Sequence, residues 1–180
     1  MDQRTRLTKT LLYNSIIEMA KETNIHKISI RELCNKAGIN RSTFYRYYGS
    51  QYDLLNEMQN EFIDKIAFRV KSTVTPNTYD KLVHSVLSVL NENVEMSRFL
   101  LIDYRDKEFI DRLHTRMQPK DYIVDSRIGV LEHLKAYVYQ GYFTGVDEIV
   151  CLWIAKENRE DVAEMTDLIL EIKERVFKNN

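Results

Sequence analysis

Arg41, Ser42, Thr43, Tyr45, Arg46 and Tyr47 crowd basic, hydroxyl and aromatic side chains into one short segment. That set suits a nucleic-acid duplex. Arginine can grip a guanine edge through two hydrogen bonds or neutralise a phosphate. Threonine offers a methyl group to thymine and a hydroxyl to phosphate. Tyrosine hydroxyls donate to phosphate oxygens, which fixes register without reading sequence. Phe44 and Tyr48 recur at helical spacing on the other side and point toward a core, as does Ile39.

The flanking residues are those needed to present such a segment. Ser29-x-x-Glu32 has the form of a capping box, in which serine and glutamate satisfy each other's free amides at a helix start. Ile30, Leu33 and Ala37 then form an apolar face, with Cys34 beside it as a small buried residue. Gly38 follows the last apolar position, where a helix commonly ends in the left-handed region. Asn40 is a good N-cap for the next helix, and Asn40 and Thr43 at its start suit phosphate. Two short helices joined at a glycine are the layout of a helix-turn-helix, whose second helix enters the major groove. A helical hairpin with a merely polar face is the alternative; the density of outward basic and aromatic groups argues for the first.

Charge distribution supports this reading. The chain has 180 residues and a net charge of −1, which by itself argues against a nucleic-acid partner. Residues 1–50, however, hold nine Lys/Arg against four Asp/Glu, and the acidic surplus lies entirely in the remainder. A basic end that coincides with the helix-turn-helix is the expected electrostatic footprint. Arg4, Arg6 and Lys9 either reach the DNA backbone or adjacent minor groove, or form a solvated helix start.

With two prolines, five glycines and 44% hydrophobic residues, the composition indicates an all-α chain with a substantial core. The longest apolar run, Ile149 to Ala155, is far short of the roughly 18 residues of a membrane helix. Met1-Asp2-Gln3-Arg4 lacks a signal-peptide hydrophobic region, and Cys34 and Cys151 need not pair; a cytoplasmic location is expected. No glycine-rich phosphate loop is present. His26, His84, His114 and His133 lack partners at metal-ligand spacing, so no metal, cofactor or enzymatic activity is expected. The acidic run Asp103, Asp106, Glu108 and Asp111 reads as a charged helix face.

Ser50-x-x-Asp53 caps a fourth helix over 51–74, with Leu54, Leu55, Met58, Phe62, Ile66 and Val70 as its stripe. Thr75-Pro76-Asn77 breaks the chain. A helix follows with Leu82, Val83, Val86, Leu87 and Leu90, then short helices between Glu95 and Pro119. Asp121 to about Gln140 reads as a helix that Gly141 to Gly145 interrupts or kinks. Val146 to Lys156 reads as a short apolar helix, with Asn158 capping the last one. In that last helix Val162, Met165, Ile169, Ile172 and Val176 make a heptad-like seam with Leu168. Among the aromatic residues, Phe99, Tyr104, Tyr122, Tyr137, Tyr139 and Trp153 are candidates to line a cavity.

From Leu12 to Met58 the sequence resembles the DNA-binding region of the tetracycline-repressor (TetR) family of bacterial regulators. The shared pattern is Leu12, Ile16, Ile17 and Ala20, then Ser29 to Leu33, Ala37 to Asn40, Thr43 to Tyr48, Ser50 and Leu54-Leu55. The resemblance implies a three-helix DNA-binding domain over 1–55 and a helical effector-binding and dimerisation domain over 56–180. It implies a homodimeric repressor on a palindromic double-stranded operator, released by a small molecule. Carried over by position, Ser29 contacts phosphate, Asn40, Arg41, Ser42, Thr43, Tyr45 and Tyr47 lie at the DNA, and Arg46 is nearby. Gln51 stands where the family often has a phosphate-binding lysine, Asn24 where it often has glycine, and Gly49 where it often has proline. Ile128 and Leu131, with part of the Val162–Val176 seam, are the implied four-helix dimer contact. Gly145-Val146-x-x-Ile149-Val150-x-x-Trp153-Ile154 is similar to a subgroup in which some members answer to a protein partner, including regulators of dihydroxyacetone-kinase operons.

Overall fold

The computed structural model describes residues 3–73, 78–117 and 132–177, and among them there is no β-strand. The chain opens with α1 (Gln3–Ala20), a single 3-10 turn at Ile25–Lys27, α2 (Ile30–Ala37) and the short α3 (Arg41–Tyr45). These form a head whose interior is apolar: Leu12, Ile16, Leu33, Phe44 and Leu54 are fully buried. Removing the Phe44 ring from water contributes about 1.5–3 kcal/mol, which anchors so short a helix where its own hydrogen bonds could not.

The long α4 (Gln51–Thr73) starts in the head and runs out of it, so the boundary expected at 55/56 falls inside one continuous helix. Its start is capped as its sequence indicates: Asp53 N–H donates to Ser50 Oγ at 3.3 Å, and Asp53 Oδ2 accepts from the amides of Ser50 (3.0 Å) and Gly49 (2.8 Å). The body then comprises α5 (Tyr79–Glu92), α6 (Val94–Arg98), a π turn at Phe99–Asp103, α7 (Lys107–Met117), α8 (Lys135–Ala155) and α9 (Val162–Phe177). α4 lies against α5 and α7, α5 against α9, and α8 against α6 and α9.

Several sequence-based expectations change. Gly141 to Gly145 does not interrupt the helix; α8 runs continuously through it. Tyr142 and Phe143, both buried between those glycines, hold the helix by packing. Edge-on contacts of Tyr142 with Phe143 (5.3 Å) and Phe177 (5.1 Å) outweigh the roughly 1 kcal/mol each glycine costs a helix. Asn158 does not cap α9; Asp161 does, its Oδ1 accepting from Glu164 N–H at 2.8 Å. Asn24 adopts φ −56° rather than the left-handed region, and its side chain accepts from His26 N–H at 2.9 Å. Residues 118–131, with the expected helix start at Asp121 and the candidates Tyr122, Ile128 and Leu131, lie outside the described residues, as do Thr75-Pro76-Asn77.

Candidate nucleic-acid interface

The turn that presents α3 is built from local bonds. Glu32 N–H donates to Ser29 Oγ (3.2 Å), and Ser29 N–H donates to Glu32 Oε2 (3.0 Å), completing the capping box. α2 ends at Gly38, with φ +67° and ψ +29°, its N–H directed to the carbonyls of Cys34 and Asn35. Ile39 N–H closes the turn on Cys34 O at 3.0 Å. Asn40 occupies the N-cap position of α3, but its side chain makes no capping bond and is exposed. With five residues, α3 has little macrodipole to offer a phosphate, so the side chains must supply the attraction.

Phe44 and Tyr48 turn inward, their rings 5.4 Å apart, and Arg41, Ser42, Tyr45, Arg46 and Tyr47 are exposed on the other side. Thr43 and Gln51 are half-buried, and Ser29 is exposed with its hydroxyl engaged in the cap. The Arg41 guanidinium sits 5.8 Å from the centre of the Tyr45 ring, with Nη2 3.4 Å from its hydroxyl. This stacking orders a long side chain before any partner arrives. Tyr47 Oη lies 3.2 Å from Thr5 Oγ1, tying the end of the reading segment to the start of α1. Nothing in the sequence pattern had singled out Thr5.

Lys9 departs from its expected role. Its ammonium is turned away from solvent onto Glu57 (2.5 Å) and Glu61 (3.0 Å) of α4. Tyr48 Oη donates to the same Glu57 carboxylate at 2.5 Å, and Tyr13 Oη donates to Glu61 at 3.2 Å. Burial alone would raise the Glu57 pKa, but the bonds from Lys9 and Tyr48 together hold it below the usual carboxylate value. Burial and the Glu57 bond push the Tyr48 phenol up, so it remains a donor. This network pins α1 and the end of the reading segment to α4. Lys21 and Lys36 are also in ion pairs, with Glu95 and Glu18. The outward positive field of the head therefore rests on its arginines and on the exposed Lys27.

The body holds a partly open pocket of about 110 Å³ between α5, α7, α8 and α9. None of the five described aromatic candidates lines it. Phe99 stacks on Tyr104 at 6.0 Å, Tyr139 packs on Phe177 at 5.3 Å, and Tyr137 is 76% exposed. Trp153 is buried with its indole N–H donated to Glu160 O at 2.8 Å. The lining is mainly aliphatic, with Val83, Val86, Leu113 and Val150 among it, and His114 and Asp147 form a polar pair within it. These two meet at 3.0 Å, Nε2 to Oδ1; their distance in sequence left no spacing signal.

In the expected dimer seam, Met165 and Ile169 are buried within their own subunit, and Val162 and Ile172 are half-buried. Leu168 and Val176 of the same seam are exposed, and Tyr137 and Leu152 are the outward large apolar residues of α8.

Residues 12–58, which contain this turn, match the family model of bacterial regulatory proteins of the tetR family. This segment is similar to the DNA-binding region of that family. Likeness of fold extends beyond this segment. A TetR transcriptional regulator from Streptococcus agalactiae 2603V is similar with a TM-score of 0.70 at 20% identity, over 96% of each chain. A protein described as the dihydroxyacetone kinase operon activator DhaS gives a TM-score of 0.61 at 16% identity, over 94% of this chain and 96% of that one. A TetR transcriptional regulator from Rhodococcus sp. RHA1 gives 0.57 at 14% identity, over 98% and 99%. No curated protein matches the sequence. Among the described residues no helix is long and apolar enough to cross a membrane, and no group of His, Cys, Asp or Glu is arranged to hold a metal ion.

Proposed function

We propose that this chain is a TetR-family regulator that binds a palindromic operator as a homodimer, acts as a repressor, and is controlled by an effector taken up in its C-terminal body. The observation that carries the reading is the exposed Arg41–Tyr47 face, held outward by the Gly38 turn and the buried Phe44. Arg41, Tyr45 and Tyr47 are the principal DNA contacts, with Ser29, Asn40, Ser42, Thr43, Arg46 and Gln51 around them. The dimer contact is the outward face of α8 and α9. It would set two heads about 34–36 Å apart on successive major grooves.

Selection of bound sequences from random double-stranded DNA tests this directly. The expected product is an inverted repeat, with binding lost in the Arg41→Ala/Tyr47→Ala double variant. Recovery of no enriched sequence by a folded dimer would overturn the reading. A second reading is that the body binds a protein partner and activates; the operon activator among the similar folds supports the activating half of it. One stoichiometric protein captured by the full chain, together with partner-dependent transcription from the selected site, would favour it.

A further inference from the structure

The lining of the body cavity points to the class of molecule it takes. We propose that it binds a compact, uncharged, largely apolar molecule carrying one hydroxyl group, a phenol or a short-chain alcohol, with the hydroxyl directed at Asp147. The proposal rests on the effector reading above and specifies its chemistry.

Three observations carry it. The first is size. A pocket of about 110 Å³ is somewhat smaller than the roughly 150 Å³ apolar cavity known to take benzene in another protein, so one ring or a chain of similar bulk is enough to fill it. The second is composition. Walls drawn from α5, α7 and α8 present Val83, Val86, Leu113 and Val150, which favour an apolar body and reward no dispersed polar groups.

The third is the polar pair. His114 and Asp147, each about one-third exposed, are half-buried residues within a largely apolar lining that also includes Tyr79, Phe143 and Cys151. His114 engages Oδ1 of Asp147 at 3.0 Å. The carboxylate remains an acceptor by chemistry, so a ligand must bring a donor to it. A ligand carboxylate would be repelled there. A ligand ammonium would have to shed its water among aliphatic side chains, beside a carboxylate already engaged by His114. A neutral hydroxyl donates at little desolvation cost.

The test uses the full chain and four ring probes of similar size: phenol, toluene, benzoate and benzylammonium. Binding is read by saturation-transfer NMR and calorimetry. Phenol should bind most tightly, and benzoate and benzylammonium at least roughly tenfold more weakly. Val86→Trp, which fills the cavity, should abolish phenol binding while retaining a cooperative melt. If that variant fails to fold, Asp147→Leu carries the test alone, since it should erase the preference for phenol over toluene while toluene still binds. Equal or tighter binding of either charged probe, no binding of phenol at millimolar concentration, or an unchanged phenol preference in Asp147→Leu would overturn the proposal. The effector reading is judged separately by the affinity of the selected operator at saturating phenol. Selective phenol binding with unchanged operator affinity would sustain the assignment of the cavity and overturn its role in control.

Discussion

Alanine at Gly38 should destabilise the protein, whereas alanine at Gly141 or Gly145 should stabilise it. A Cβ at any of the three positions would meet nothing within 4 Å, so backbone conformation alone decides the sign. Gly38 sits at φ +67°, where a residue with a Cβ costs about 1–2 kcal/mol. Alanine recovers about 0.4–1 kcal/mol by restricting the unfolded chain, leaving a net loss near 1 kcal/mol. Valine should lose more, because a β-branched residue is a severe outlier in that region. Gly141 and Gly145 lie inside α8 at ordinary helical angles, where alanine should gain about 0.8–1 kcal/mol each. Urea unfolding followed by circular dichroism, at one fixed protomer concentration, reads all three. Gly38→Ala at or above wild-type stability would refute the left-handed turn that presents α3. A loss at Gly141 or Gly145 would refute the open helical environment assigned to them.

Arg41→Ala should weaken operator binding by about 1–3 kcal/mol if the guanidinium reads a base, relaxing selectivity at one position of each half-site. If it meets only phosphate, the loss should be uniform across sequences, with a smaller salt slope in fluorescence anisotropy titrations. Tyr48→Phe removes the donor to Glu57 and should cost about 1–2 kcal/mol in thermal or urea melts. Because the folded pKa of Glu57 is depressed, its contribution is complete above its unfolded value and is lost as pH falls through the lower folded one. Glu57→Gln should therefore flatten the stability-versus-pH curve below about pH 4.5; an unchanged slope there would discount the network. Leu152, 61% exposed on α8, should be part of the dimer contact, so Leu152→Glu should shift the mass measured by light scattering toward the monomer.

The head was legible because its signals are local. Ser29 and Glu32 cap each other across one turn, and Gly38 ends the helix it follows. The direction of Lys9 was not, because the carboxylates that draw it inward come 48 and 52 residues later. The interruption expected at Gly141–Gly145 weighed helix propensity without the burial of Tyr142 and Phe143, which only the packing of α5 and α9 creates. Aromatic residue type misdirected the cavity assignment for a related reason. Large rings filled space against one another, as Phe99 and Tyr104 do, and the void was left among branched aliphatic side chains at the meeting of four helices.

α7 shows one flank to the cavity, through Leu113 and His114, and the other to α4. On that second flank Arg112 donates to Asn56 (2.8 Å), Asn60 (2.7 Å) and Gln59, and Arg116 reaches Asp64 at 3.4 Å. Neighbouring residues of one short rod thus serve two masters. On the proposed function, retuning the occupant through residues 113 or 114 should disturb how the head is carried, and variants there should change both behaviours at once. An engineer seeking a new inducer without altered promoter behaviour should begin on α8, at Val146 or Val150, whose principal neighbours are α6 and α9.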